Sequence, residues 1–164
     1  MLVVIICVLL VLLTYQDISK QEVNVILLLA IIMVQAAIGI QSIGLQQLGM
    51  LMLTNVTLSV LQFLLLKFYF SVIRGEKGFI DVIIGKGDLI FWLFLCEAFS
   101  LLNLFFFITI ALTITLVVHL SFHKRKDRIP LIGYLSISYM ATMLFCQLFE
   151  HDGYDDTFII HLIL

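Results

Sequence analysis

The chain has 164 residues, 63% of them hydrophobic and only 12% charged, with a mean hydropathy of +1.20. Soluble domains carry roughly twice that share of charge, and one small core cannot hide so much apolar surface. The composition excludes a soluble globular domain, a disordered chain and a nucleic-acid-binding module, and it points to a single polytopic all-α membrane domain over residues 1–164.

Apolar segments run Met1–Tyr15, Val23–Ile40, Leu48–Ile73, Leu89–Leu101, Leu104–Phe122 and Ile129–Phe149. The first has neither a basic leading region nor a small-residue cleavage site, so it reads as a retained membrane helix rather than a secretory signal. The fourth is short for a crossing. Joining it to the fifth gives Leu89–Phe122, ~50 Å at ~1.5 Å per residue, too long for a ~30 Å hydrocarbon core without strong tilt. A break near Asn103 and six transmembrane helices are therefore expected.

Charge placement agrees. With six spans, Lys20, Arg74, Lys77, Lys86, Lys124, Arg125, Lys126 and Arg128 all fall in loops on one side, and Lys67 can snorkel to it. The intervening loops hold no Lys or Arg. By the positive-inside rule the basic face is cytoplasmic and both termini lie outside. Cys7, Cys96 and Cys146 sit in apolar runs without metal or disulfide spacing, and read as small buried hydrophobes.

Two acids stand at helix ends on the basic side. Asp17 closes the first span and Asp88 opens the fourth, within Gly85-Lys86-Gly87-Asp88. Two carboxylates at one depth can divide the work of an aspartyl protease. One takes a proton from water while the other, protonated, polarises a carbonyl. The bland readings are an N-cap for Asp88 and a solvated interfacial charge for Asp17. Glycine at alternate positions before Asp88 leaves room for an extended backbone that pairs with a substrate peptide as an added strand.

These features resemble the type IV prepilin peptidases, a family of GxGD intramembrane aspartyl proteases. Three segments carry the likeness: Asp17 with the following Ile18-Ser19-Lys20-Gln21-Glu22-Val23-Asn24, then Gly85-Lys86-Gly87-Asp88, then Arg128-Ile129-Pro130-Leu131-Ile132-Gly133-Tyr134-Leu135. The resemblance implies a GxGD-type bundle that cuts the basic leader of a prepilin or pseudopilin at the cytoplasmic membrane face. It implies Asp17 and Asp88 as the catalytic pair, Gly85 and Gly87 shaping the loop that presents Asp88, and Arg128 and Pro130 within the active-site wall. The chain departs from the family pattern at three places. Val23 stands where a proline is usual, Ile90 where a lysine is usual, and Gly133 where the last motif has its second proline. The family's zinc-binding insertion, associated with N-methylation, has no counterpart. The resemblance thus implies peptidase activity without methyltransferase activity, and no metal or cofactor. The implied partners are prepilin-like substrate proteins and the lipid bilayer, with no nucleic acid. Two other classes compete: a small ion- or proton-coupled transporter using the same acids, and a catalytically silent membrane scaffold.

The remaining polar residues read blandly. Glu97, nine residues after Asp88, falls on the opposite helix face and reads as a satisfied polar contact near the outer end. Glu76 and Asp81 read as solvated loop charges. His119 and His123 share a helix face without a third ligand and read as interfacial. Glu150-His151-Asp152-Gly153-Tyr154-Asp155-Asp156 reads as a solvated acidic tail, and Phe158–Leu164 as too short to span.

Overall fold

A computed structural model describes residues 1–20, 23–68, 85–122, 130–148 and 153–156. Among these residues the chain is entirely helical. The elements are α1 (Leu2–Lys20), α2 (Val25–Ile43), α3 (Leu45–Phe68), α4 (Lys86–Ala98), α5 (Leu101–Phe122) and α6 (Leu131–Leu148). Five of them, all but α4, are long and apolar enough to cross a membrane. At 13 residues α4 spans only ~20 Å, less than a typical hydrocarbon core.

Local chemistry sets the helix ends. Asn24 caps α2, its side chain accepting the Ile26 N–H at 2.9 Å, while its own N–H donates to Gln16 of α1 at 3.3 Å. The α2–α3 corner turns on Gly44, whose φ of 82° is a conformation side-chain-bearing residues avoid. Its N–H closes α2 on the Ile40 carbonyl. The chain breaks between α4 and α5 at extended Phe99 and the non-helical Ser100 that follows it. This separates the two helices as expected, a few residues before Asn103, which lies inside the first turn of α5. Asn55 of α3 reaches over to this break and donates from its amide to the carbonyls of Cys96 and Phe99, at 2.8 and 2.9 Å. The orphan carbonyls that end α4 are thereby satisfied in an apolar bundle.

The core sits where α1, α2, α4 and α6 meet. Ile6, Leu10 and Leu13 of α1 pack with Leu28 and Ile31 of α2, Phe91, Phe94 and Leu95 of α4, and Ile132, Leu135 and Tyr139 of α6. Phe94, Phe99 and Phe107 gather round the Tyr139 ring with centroids 4.9, 5.4 and 6.2 Å away. The outer faces stay apolar, with Val8, Met33, Leu53, Ile114 and Val117 exposed as lipid-facing side chains would be. The short α4 is the most enclosed of the helices, buried from Phe94 through Ser100.

Candidate active site

Three helix ends converge where Asp17 lies. α1 and α6 run antiparallel, so the last turns of α1 meet the first turn of α6. Asp17 is buried, 7% exposed, and its Oδ2 accepts the Gly133 N–H at 2.7 Å. The Ile132 N–H faces the same carboxylate. Pro130, which carries no hydrogen-bonding side chain, precedes α6, so Asp17 supplies the cap that the α6 start lacks. The approach is close. A β-carbon at Gly133 would stand 3.2 Å from Ile18 Cγ1 and 3.3 Å from Asp17 Oδ2. Gly133 occupies the position of the second proline in the resembled motif, and a proline there could not donate this bond.

Asp88 stands in the first turn of α4, half-buried, and its Oδ2 accepts the Gly85 N–H at 3.2 Å. It is close enough to Asp17 for the two charges to interact. Gly87 carries the packing between the two acids. A β-carbon there would lie 3.3 Å from Ile132 Cδ1 and 3.7 Å from Val23 Cβ. Asp17 thus touches Gly133, and the neighbouring Ile132 packs on the residue before Asp88. Acids 71 positions apart in sequence share one end of the bundle, together with the Lys20 end of α1 and the Lys67 end of α3.

The structure places Asp17, Gly85, Gly87, Asp88 and Pro130 together at this end. Arg128 lies outside the described residues, as do Glu76, Asp81, His123 and Phe158–Leu164. The glycines work differently from expectation. Neither Gly85 nor Gly87 adopts a positive φ, and Gly85 engages both its N–H, on Asp88, and its C=O, on Leu89 N–H. This stretch opens a helix rather than offering a free strand edge, because a preferred first-turn acid follows it. Gly85 and Gly87 serve by being small.

Two other expectations are corrected. Glu97 is 2% exposed, and its Oε2 has no hydrogen-bond partner among the described residues, so this oxygen is buried without being satisfied. His119, in the last turn of α5, packs its side chain against the bundle. Residues 153–156 are docked on the far end, not solvated as a free tail. Gly153 O accepts from Ser100 N–H and from the Asn103 amide, Asp155 O accepts from that same amide, and Ser100 Oγ donates to Asp156. Tyr154 plugs inward against Gly39, accepting from Gln35, whose carbonyl accepts from Tyr139 at 2.9 Å. Beside this network lies a cavity of about 320 Å³ bordered by Gln35, Ser42, Tyr139, Thr142, Gln147 and Tyr154.

Sequence reasoning missed the partnership of Asp17 with the α6 start and the Gln35–Tyr154 link. The first had a readable signal, a proline-led helix without its own cap; the second had none, because Gln35 and Tyr154 are separated by most of the chain. No protein-family model, curated protein or solved structure matches the chain.

Proposed function

We propose that the chain is a membrane-embedded aspartyl endopeptidase that removes the leader peptide of prepilin-like or pseudopilin substrates, without N-methyltransferase activity. In this reading α4 is a sixth, short membrane-inserted helix of a GxGD-type bundle. The basic loops set the acid end at the cytoplasmic face of the cell membrane, with both termini outside. The observation that carries the proposal is the convergence of Asp17 and Asp88 on one end of the bundle through Gly133, Ile132 and Gly87.

The chemistry follows from two neighbouring carboxyls that share a proton. The ionised one takes a proton from water as the water oxygen attacks the peptide carbonyl carbon. The protonated one gives its proton to the carbonyl oxygen. The tetrahedral intermediate then collapses: the C–N bond breaks, the proton first taken from water passes to the leaving amine, and one hydroxyl proton of the intermediate returns to the carboxylate that supplied it as the C=O of the product acid forms. No metal is needed for any step.

A second reading, a silent scaffold, is favoured by the capping bonds themselves, since both acids hold helix starts. The Asn variants separate the two. An Asn side-chain oxygen still accepts a backbone N–H, so Asp17→Asn and Asp88→Asn keep the caps while removing the proton chemistry. Each variant and the parent are co-expressed with a prepilin-like substrate, and leader loss is followed by the shift in substrate mass. The expected result is cleavage by the parent and none by either variant at equal membrane levels. Cleavage by either variant rules out the two-aspartate mechanism, and a parent that cuts nothing supports the scaffold.

A further inference from the structure

We infer that Thr14 and Ser136 hold a buried water one helical turn beyond Asp17, in the seam between α1 and α6, and that this water helps to position the Asp17 carboxyl. The water site stands on packing alone; its part in cleavage rests on the peptidase reading above.

The register comes from the two ends of the seam. Asp17 meets Gly133 at one end, and Val3 shares the far cavity with Cys146 and Gln147 at the other. In such an antiparallel pair, three residues back along α1 and three forward along α6 stay level, ~4.5 Å deeper in the bundle. Those positions are Thr14 and Ser136. The Thr14 backbone already lies against α6, its carbonyl 3.6 Å from a β-carbon built at Gly133.

Both hydroxyls are buried and neither has a partner among the described residues. Ser136 is fully enclosed, 0% exposed. This sets them apart from other hydroxyls in the bundle. Thr54, Thr109, Thr115 and Ser138 each donate to the carbonyl four residues earlier, at 2.7–3.0 Å. Even lipid-facing hydroxyls thus find a backbone acceptor, while two interior ones beside an acid do not. An unpaired buried hydroxyl is unfavourable, and a buried water that bonds several polar groups is the usual remedy. Thr14 and Ser136 supply two such groups, and the Asp17 carboxyl, one turn away on the same seam, supplies the third. A carboxyl bonded on one side by the α6 backbone and on the other by this water is held in one orientation, which is what a general acid or base requires.

The test uses the full-length protein in lipid nanodiscs. Synchrotron hydroxyl-radical footprinting with mass spectrometry marks side chains beside an ordered internal water. The expected result is oxidation at Leu13 and Leu135, which flank the two hydroxyls, at rates well above that of the equally buried Leu95. The near-isosteric double variant Thr14→Val with Ser136→Ala is expected to lose that labelling while keeping its melting temperature within a few degrees. Labelling at Leu13 and Leu135 no faster than at Leu95 overturns the water site, the hydroxyls then turning back to their own helices. In the cleavage assay the double variant is expected to lower kcat on the order of 10-fold with KM unchanged, and Thr14→Ser to restore it. Parent-like kcat in a double variant that has lost its labelling overturns the positioning role. Labelling as expected in a parent that cleaves nothing leaves the water site standing and refutes the peptidase reading alone.

Discussion

The two ends of this helix bundle are closed by different chemistry. At one end carboxylates meet helix starts, Asp17 on α6 and Asp88 on α4. At the other end amides and phenols do most of the joining, beside a contact of Ser100 with Asp156. Asn55 caps the α4 carbonyls, Asn103 binds the carbonyls of Gly153 and Asp155, and Gln35 links Tyr139 to Tyr154. Helix polarity explains part of the contrast, because starts present N–H donors and ends present C=O acceptors. It does not explain why the starts use charge. A neutral Asn or Ser caps as well as Asp, and an acid at membrane depth is costly. Two neighbouring acids at helix starts, where two amides would suffice, mark the acid end as the candidate site, while the far end serves as a structural clasp.

On the proposed peptidase reading, the largest effect expected from this contrast is on cleavage. Asp17→Asn or Asp88→Asn should reduce leader removal by on the order of 10³-fold or more, measured by substrate mass, whereas Gln35→Ala at the clasp should leave the rate within a few-fold of the parent. Equal losses at both ends would erase the distinction.

Next in size is packing at the acid end. Gly133→Val adds a branched side chain where even a single β-carbon stands 3.2–3.3 Å from Ile18 and Asp17. Overpacking of this kind should destabilise by about 1–3 kcal/mol, read as a lower melting temperature in detergent, with cleavage lost as Asp17 is displaced. At the far end Asn55→Leu strips the Cys96 and Phe99 carbonyls of their donor. It should cost about 1–3 kcal/mol while sparing cleavage by whatever protein folds.

The smallest effects sharpen the clasp. Gly39→Ala places a β-carbon 2.8 Å from both Leu48 Cδ1 and Tyr154 Oη, and should cost about 1 kcal/mol. Tyr154→Phe removes the hydrogen bond from Gln35 of α2 to the returning segment, about 0.6 kcal/mol. The pair should be less than additive, since removing the Tyr154 hydroxyl clears one of the two atoms that Gly39→Ala would strike. Full additivity in a melting-temperature cycle would mean that Tyr154 does not seat against Gly39.

Composition and spacing by themselves determined that this chain is a helical membrane protein, and they located its helices closely. The signals are local, chiefly runs of apolar residues bounded by polar ones; the caps that end α2, Asn24 before it and Gly44 after it, show only in the structure. Composition and spacing also singled out Asp17 and Asp88, because in a chain this poor in charge an acid at a helix edge is conspicuous. Only the tertiary structure decided what those acids touch. That Asp17 caps α6, that Asn55 satisfies the end of α4, and that residues 153–156 return to clasp the far end all depend on pairing distant segments in an apolar setting. A polar group buried there must find a partner wherever the packing puts one. The position of the α4–α5 break shows the same division. Asn103 looked like the interruption by its polarity, yet it sits within α5 and binds the returning segment, while the apolar Phe99 adopts the extended turn because Asn55 waits across the bundle to receive its carbonyl.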